Sequence, residues 1–230
     1  MARIFYSMAG EGRGHATRVR AMVEELRADH ELTLFAPGDA HDLLAPVYAG
    51  TDIEVRRIPC LRFSYTGSQL NTIATAWDAA RYLWGLPRLV RRLRGEIARG
   101  RPDLVVTDFE PALARAARAE GVPFLSLDHQ HFLTCCDLSG LPAELRRRAR
   151  LWSFATSLFY SGQRATVVSG FYAPPVKAGL RNVAMIGPLL RPEIVHARPE
   201  PGGGLLLYFR RFPPPGLETA LATLGRPATV

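Results

Sequence analysis

The chain has 230 residues, of which 47% are hydrophobic and 22% charged, and its formal net charge is +8. This composition excludes a disordered chain, and no apolar run approaches the roughly 20 residues of a membrane-spanning helix. The cysteines Cys60, Cys135 and Cys136 lack disulfide-framework or zinc-finger spacing, and Met1-Ala2-Arg3 leads directly into an apolar strand without a secretory signal, so we expect a cytoplasmic protein.

Apolar, strand-like runs alternate with helical patterns along the chain. Strands are predicted at 3–8, 32–36, 53–58, 103–107, 123–127, 165–169 and 183–186. Helices are predicted at 15–28, 40–48, 69–84, 87–99, 111–119 and 142–160, with Pro87 separating two of them. The alternation predicts an α/β fold with a doubly wound, mostly parallel, Rossmann-like sheet.

The first strand leads into a glycine-rich loop, Gly10-Glu11-Gly12-Arg13-Gly14-His15, which an amphipathic helix follows. Backbone N–H groups at such a helix start favour a negatively charged ligand, and a histidine there is a candidate proton acceptor. A dinucleotide site fits less well, because His15 stands at the third glycine position and Ala36-Pro37-Gly38 replaces the expected ribose-binding acid. Gly10, Gly12, Arg13 and Gly14 are therefore predicted to contact substrate.

A second polar loop, Asp108-Phe109-Glu110, follows the fourth predicted strand. In the Rossmann strand order 3-2-1-4-5 the first and fourth strands are neighbours, so His15 is expected beside Asp108. A histidine held by a buried carboxylate forms a general-base dyad, which makes His15 and Asp108 the catalytic candidates. Asp108 has an alternative role as a cap of the helix that Pro111 begins.

A third polar loop, Asp128-His129-Gln130-His131, follows the fifth predicted strand. Four polar residues after an apolar strand are typical of a pocket lining, so Asp128, His129, Gln130 and His131, together with Glu110, are predicted to contact substrate. A zinc site is the alternative, but the two histidines are spaced i, i+2 without further ligands, and no metal is expected.

Residues 188–204 are rich in proline and glycine, which is typical of a linker. We therefore predict a Rossmann-like domain at 1–187 and the first βα element of an incomplete second domain at 205–230.

The three loops together resemble the GT-B glycosyltransferases, in particular the MurG-like and UDP-glycosyltransferase-like branch. The motifs that carry the resemblance occur in order within residues 3–211: Gly10-x-Gly12-x-Gly14-His15, Thr107-Asp108-Phe109-Glu110-Pro111 and Leu127-Asp128-His129-Gln130-His131. The resemblance implies an N-terminal acceptor domain that faces a C-terminal nucleotide-sugar domain. It also implies that His15 deprotonates the acceptor with the support of Asp108.

The function implied by the resemblance is metal-independent transfer of a sugar from a nucleotide-sugar donor to a hydroxyl of a sugar or lipid-linked acceptor. The donor is a co-substrate, and no cofactor is expected. The chain is expected to supply the acceptor half and to need a separate donor domain. The alternatives are a non-catalytic small-molecule or partner-binding module and a GT-B nucleotide-sugar epimerase. A nucleic-acid partner is not expected, because no recognised motif accompanies the arginine clusters.

The predicted helix at 142–160 combines four arginines in its first half with apolar side chains in its second. One apolar face, Leu145, Trp152 and Phe159, is expected to pack on the sheet. A second apolar face consists of Leu151, Phe154 and Leu158. A neighbouring helix or the other domain is the simpler covering for this second face, and peripheral contact with an anionic inner-membrane surface is the alternative.

Overall fold

The computed structural model of the chain describes residues 1–66, 69–199, 202–209, 213–225 and 227–229. The strands, in chain order, are β1 (Arg3–Met8), β2 (Glu31–Ala36), β3 (Glu54–Arg57), β4 (Tyr65–Thr66), β5 (Gln69–Leu70), β6 (Leu104–Asp108), β7 (Phe124–Asp128), β8 (Ala165–Ser169), β9 (Val183–Ile186), β10 (Leu205–Leu206) and β11 (Ala228–Thr229). The helices are α1 (Arg13–Leu26), α2 (Gly38–Val47), α3 (Thr72–Gly100), α4 (Pro111–Ala119), α5 (Phe132–Cys135), α6 (Ala143–Phe159), α7 (Pro192–Val195) and α8 (Leu217–Thr223).

The main sheet has seven parallel strands in the order β3-β2-β1-β6-β7-β8-β9. The predicted α/β fold with a doubly wound parallel sheet is therefore confirmed. β1 and β6, the first and fourth strands of this sheet along the chain, are neighbours, and Met8 pairs with Asp108 at their carboxyl ends. This pair marks the point where the strand order reverses, which is where open α/β sheets bind ligands.

Helices cover both faces of the sheet. Successive side chains of a strand point to opposite sides, and in these strands both sides are apolar and need cover. Tyr6 of β1 faces the layer of α1, where it joins a cluster with Val19 and Val23. Phe5 faces the opposite layer and packs in a cluster with Leu89 and Leu93 of α3. The core thus consists of two apolar layers separated by the sheet.

The prediction that Pro87 separates two helices is wrong, because α3 runs without a break through this residue. A proline inside a helix removes one backbone hydrogen bond and crowds the preceding turn. Leu86, Leu89, Leu93 and Ile97 are buried on both sides of this position, and their packing holds the two halves in line. The predicted start at 69 is also wrong, because residues 69–70 form the second strand of the β4–β5 hairpin.

The prediction that one face of α6 packs on the sheet is wrong for two of its three residues. Leu145 is 48% exposed and Trp152 is 57% exposed, whereas the buried positions of this helix are Ala149 and Thr156. Phe159 does pack inward, and its ring stacks on Phe109 with 4.4 Å between centroids. Because the small side chains face the body of the domain, the large ones are left at its surface.

After β9 the chain returns across the carboxyl ends of the strands. Arg20 of α1 donates a 2.7 Å hydrogen bond to Glu193 of α7, and this ion pair ties the returning segment to the domain. β10 and β11 then form a short parallel pair. The domain division at 188–204 stays a prediction. Some residues of the predicted linker and of the last predicted element lie outside the described residues: 200–201, 210–212, 226 and 230.

Candidate active site

The glycine loop that follows β1 holds the start of α1 close to the loop after β2. A Cβ atom at Gly10 would lie 2.7 Å from the carbonyl oxygen of Pro37, so this position admits no side chain. Gly12 precedes α1 with a φ of 74°, a left-handed value that favours glycine. A Cβ atom at Gly14 would meet nothing within 4 Å. Two of the three glycines are therefore required by the backbone path that delivers His15.

His15 and Asp108 meet at the switch point between β1 and β6. His15 Nδ1 lies 2.9 Å from Asp108 Oδ1, and the Asp108 side chain is fully buried. The alternative capping role belongs to Glu110 instead: its carboxylate accepts hydrogen bonds from the backbone N–H groups of Ala112 and Leu113 at 2.7 and 2.8 Å. Burial of Glu110 raises its pKa even though these two bonds favour its charged form.

Arg18 is a third member of this cluster, and it was not among the predicted site residues. Its Nε and Nη2 atoms donate to the two oxygens of Asp108 at 2.9 and 2.8 Å, in the bidentate geometry of a strong charge-assisted pair. Burial disfavours the charged guanidinium, but the attraction of Asp108 outweighs it and raises the pKa of Arg18. The signal in the sequence was the spacing: Arg18 lies three residues after His15, on the same side of α1.

We assign the ring proton of His15 to Nδ1, so that it donates to Asp108, which only accepts hydrogen bonds when it is ionised. Arg18 Nη2 also lies 3.1 Å from Nδ1, and in this assignment it donates to Asp108 Oδ1 instead. The lone pair is then on Nε2, which lies 3.4 Å from Nε2 of Gln130. Among the described residues, Gln130 Oε1 is buried without a hydrogen-bond partner. His15 therefore presents a basic nitrogen beside an unused carbonyl acceptor.

A second histidine–aspartate pair, His131 with Asp128, lies at the end of β7. Asp128 Oδ2 is 2.7 Å from His131 Nδ1, and it also accepts hydrogen bonds from Ser126 and Tyr160 at 2.6 and 2.9 Å. Burial raises the pKa of Asp128, but the hydrogen bond and the attraction of His131, together with the Ser126 hydroxyl, outweigh it and lower that pKa below its usual value. This pair is buried on all sides.

A cavity of about 880 Å³ opens at the carboxyl ends of the strands. Seven predicted site residues line it, and four do not. The residues that line it are Gly10, Gly12, Arg13, Gly14, His15, His129 and Gln130. The residues buried behind its wall are Asp108, Glu110, Asp128 and His131. Direct substrate contact by any of these eleven residues stays a prediction.

The rest of the cavity wall is mostly apolar and aromatic. Its large side chains come from separate parts of the chain: Leu61, Phe63, Tyr82, Phe109, Leu133, Trp152, Phe159, Phe171, Leu189, Leu190 and Tyr208. Phe109 has a φ of 58°, which is uncommon for a residue with a side chain, and its ring stacks on Phe159 in this wall. The cavity therefore combines one polar corner at His15 with an extended apolar surface.

The second apolar face of α6 has no cover among the described residues. Leu151, Phe154 and Leu158 are 68%, 64% and 59% exposed. No helix in the described part of the chain is long and apolar enough to cross a membrane. The described residues also contain no cluster of three or more His, Cys, Asp or Glu side chains that could hold a metal ion.

Comparison with known proteins assigns the family. The sequence profile of glycosyl transferase family 1 matches residues 2–230. The chain belongs to this family. No curated protein sequence matches the chain.

Solved structures show that the fold is that of a GT-B domain. UGT89C1 of Arabidopsis thaliana in complex with UDP matches with a TM-score of 0.61 at 14% identity, over 99% of this chain and 66% of that one. UGT2 of Phytolacca americana, in complex with UDP-2-fluoro-glucose and pterostilbene, matches with a TM-score of 0.59 at 14% identity. A UDP-glucosyltransferase of Polygonum tinctorium capable of glucosylating indoxyl matches with a TM-score of 0.57 at 17% identity. The latter two matches each cover 90% of this chain and 59% of the other, so the chain spans less than two thirds of their length.

Proposed function

We propose that the protein is a glycosyltransferase that moves a sugar from a nucleotide-sugar donor to an acceptor hydroxyl, and that this chain supplies the acceptor half. One observation carries the proposal: His15, held by buried Asp108, presents Nε2 toward Gln130 in the 880 Å³ cavity. A histidine fixed by a carboxylate, with the lone pair of its other nitrogen facing a cavity, is the arrangement of a general base.

In the proposed reaction, an acceptor hydroxyl donates its hydrogen bond to His15 Nε2. As the acceptor oxygen attacks the anomeric carbon of the donor sugar, His15 takes the hydroxyl proton. The bond between the anomeric carbon and the nucleoside diphosphate breaks, and the diphosphate leaves with the bonding electrons. Asp108 holds Nδ1–H throughout and stabilises the imidazolium that forms, while Arg18 fixes the carboxylate at both oxygens.

The acceptor role is supported by the character of the cavity and by the extent of the fold match. The wall of aromatic side chains suits an apolar acceptor body better than a charged nucleotide. The nucleotide-sugar site is then provided by a donor half outside the matched region, either in a longer chain or in a separate polypeptide.

The test is a turnover assay with the donor half supplied, a panel of nucleotide sugars and a panel of hydroxylated aromatic and lipid acceptors. Mass spectrometry is expected to detect an acceptor whose mass is raised by one sugar residue. Acceptor binding without any product under all conditions would favour the non-catalytic binding module. Isomerised donor without a glycoside would favour the epimerase.

We also propose that the exposed face of α6 contacts an anionic lipid surface. Leu151, Phe154 and Leu158 lie on one side of the helix beside the exposed Arg147 and Arg148, so apolar insertion and headgroup attraction act together. Co-sedimentation with anionic liposomes at low salt is expected, and it should weaken at high salt. Absence of binding to anionic liposomes at low salt would leave this face to a protein partner.

A further inference from the structure

A smaller cavity of about 520 Å³ adjoins the main cavity, and its wall contains arginines where that of the main cavity is mostly aromatic. The two cavities share Cys60 and Tyr82 in their walls, so they are direct neighbours. The smaller cavity, which we call the side cavity, is lined by Arg57, Arg62 and Arg81. A chamber with three guanidinium groups therefore lies next to one with aromatic walls.

The side cavity lies directly behind the glycine loop. Gly38 lines it, and a Cβ atom at Gly38 would be 3.1 Å from the backbone oxygen of Gly10. The neighbouring Asp39 donates its backbone N–H to the same oxygen at 3.1 Å. Gly10 lines the main cavity and Gly38 lines the side cavity, so this loop contact places the two cavities next to each other.

The side cavity carries positive charge that its own residues do not cancel. Arg81 pairs with Asp78, which also lines the cavity, and Arg57 pairs with Asp42. Among the described residues, Arg62 forms no ion pair with a carboxylate. Burial raises the pKa of the Cys60 thiol despite the nearby Arg62, so this thiol stays uncharged near neutral pH. Arg62 hydrogen-bonds the Cys60 side chain, and it is the one of the three arginines without a carboxylate partner among the described residues.

We propose that the acceptor is an amphipathic acid: its apolar body lies in the main cavity and its acidic group in the side cavity against Arg62. The proposal rests on the proposed function, because it takes the main cavity as the acceptor site. With a neutral acceptor, Arg62 would keep its hydrogen bond to the Cys60 side chain and gain no ion pair. An acidic group there would form a charge-assisted hydrogen bond, for which the planar, multiply donating guanidinium is well suited.

The test compares two probes with the same hydroxynaphthalene body, the anion 6-hydroxy-2-naphthoate and its uncharged methyl ester, by fluorescence titration of the 230-residue chain. The acid is expected to bind about tenfold more tightly than the ester, the scale of one charge-assisted hydrogen bond at a partly exposed site. Arg62→Gln should remove this preference and leave the affinity for the ester unchanged. Arg88→Gln is the matched control, because Arg88 is exposed on α3 and lines neither cavity.

The outcomes separate this inference from the proposed function. Equal affinity for acid and ester in the unmodified chain would overturn the acidic acceptor and leave the acceptor cavity in place. A preference for the acid that persists in Arg62→Gln would overturn the role of Arg62. If neither probe binds, the apolar cavity is not an acceptor site, and both proposals fall. Thermal unfolding of each variant checks that the substitutions leave the fold intact.

Discussion

Two histidine–aspartate pairs lie at the carboxyl ends of adjacent parallel strands, and they differ in how far their imidazole rings are exposed. His15–Asp108 lies at the end of β6, where the imidazole is 14% exposed to the cavity. His131–Asp128 lies at the end of β7, where the imidazole is 3% exposed. Both aspartates are fully buried. The chemical pair is the same, and access to ligand is the difference.

The partners of each aspartate decide what its histidine is able to do. Asp108 is bound on both oxygens by Arg18, so its charge is balanced, and Nε2 of His15 remains directed to the cavity. Asp128 is surrounded by uncharged donors and by His131 itself, whose ring lies against Phe109 and Tyr160. The first pair is suited to moving a proton, and the second holds the loop after β7 in shape.

Replacing the two histidines separately gives the largest expected contrast. In a turnover assay with the donor half supplied, His15→Ala should lower turnover by about 10²-fold or more, the usual scale for loss of a general base, with little change in stability. His131→Ala should leave the turnover of the folded protein unchanged and lower the free energy of unfolding by about 2–4 kcal/mol, because it opens a cavity and leaves Asp128 short of a donor.

The measurement for this contrast is steady-state turnover beside urea unfolding for each variant. Unchanged turnover in His15→Ala would remove this residue from the mechanism. A large loss of turnover in a stably folded His131→Ala variant would show that the catalytic role belongs to His131–Asp128 and that its assignment to His15–Asp108 is wrong.

Removing the charge of Asp128 should lower the stability of the fold by a large amount. Asp128→Asn places an amide N–H₂ group among donors from Ser126, Tyr160 and His131, so at least one buried donor loses its acceptor. We expect the free energy of unfolding to fall by about 3–5 kcal/mol, as for other broken buried pairs. Asp29→Asn, at an exposed position, is the control and should change it by less than about 0.5 kcal/mol. A neutral result at Asp128 would mean that its carboxyl is already protonated in the native state.

The sequence predicted the sheet and the meeting of His15 with Asp108, because both follow from strand alternation and from the switch-point rule. The continuity of α3 was not predictable, since tertiary packing around Leu86 and Leu89 overrides the local effect of Pro87. Arg18 was missed because an arginine on an amphipathic helix usually faces solvent. Only the partner strand shows that this one faces a buried carboxylate.

The sequence also could not predict that His129 lines the cavity while His131 is buried. The turn after β7 is closed by the backbone N–H of His131, which donates to Asp128 Oδ1 at 2.8 Å. This bond turns His131 inward and leaves His129 and Gln130 at the cavity. Side-chain direction in a short irregular turn depends on such contacts, which no residue pattern encodes. The aromatic wall is likewise assembled from distant segments.

The pH dependence of stability should carry the signature of the buried pair. The pKa of Asp128 is lowered in the folded protein, so its contribution is fully present above its unfolded value near 3.9 and is lost as the pH falls through the lower folded value. Urea unfolding from pH 7 to pH 3 should show a constant gap between the unmodified chain and Asp128→Asn above about pH 5, and a narrowing gap below about pH 4. A gap that widens on acidification would contradict the lowered pKa.

The smallest expected effects come from two buried tyrosines, one beside each pair. Tyr160 donates its hydroxyl to Asp128 at 2.9 Å, whereas the buried hydroxyl of Tyr6, close to Asp108, has no hydrogen-bond partner among the described residues. Tyr160→Phe should therefore cost about 1.5–3 kcal/mol, the net value of a hydrogen bond to a charged group. Tyr6→Phe should be neutral or stabilising, because it removes a buried polar group that is not satisfied. Thermal and urea unfolding of the two variants measure this difference directly. A cost in Tyr6→Phe equal to that in Tyr160→Phe would mean that the Tyr6 hydroxyl is bound after all, through water, and that the two pairs are more alike than their protein contacts indicate.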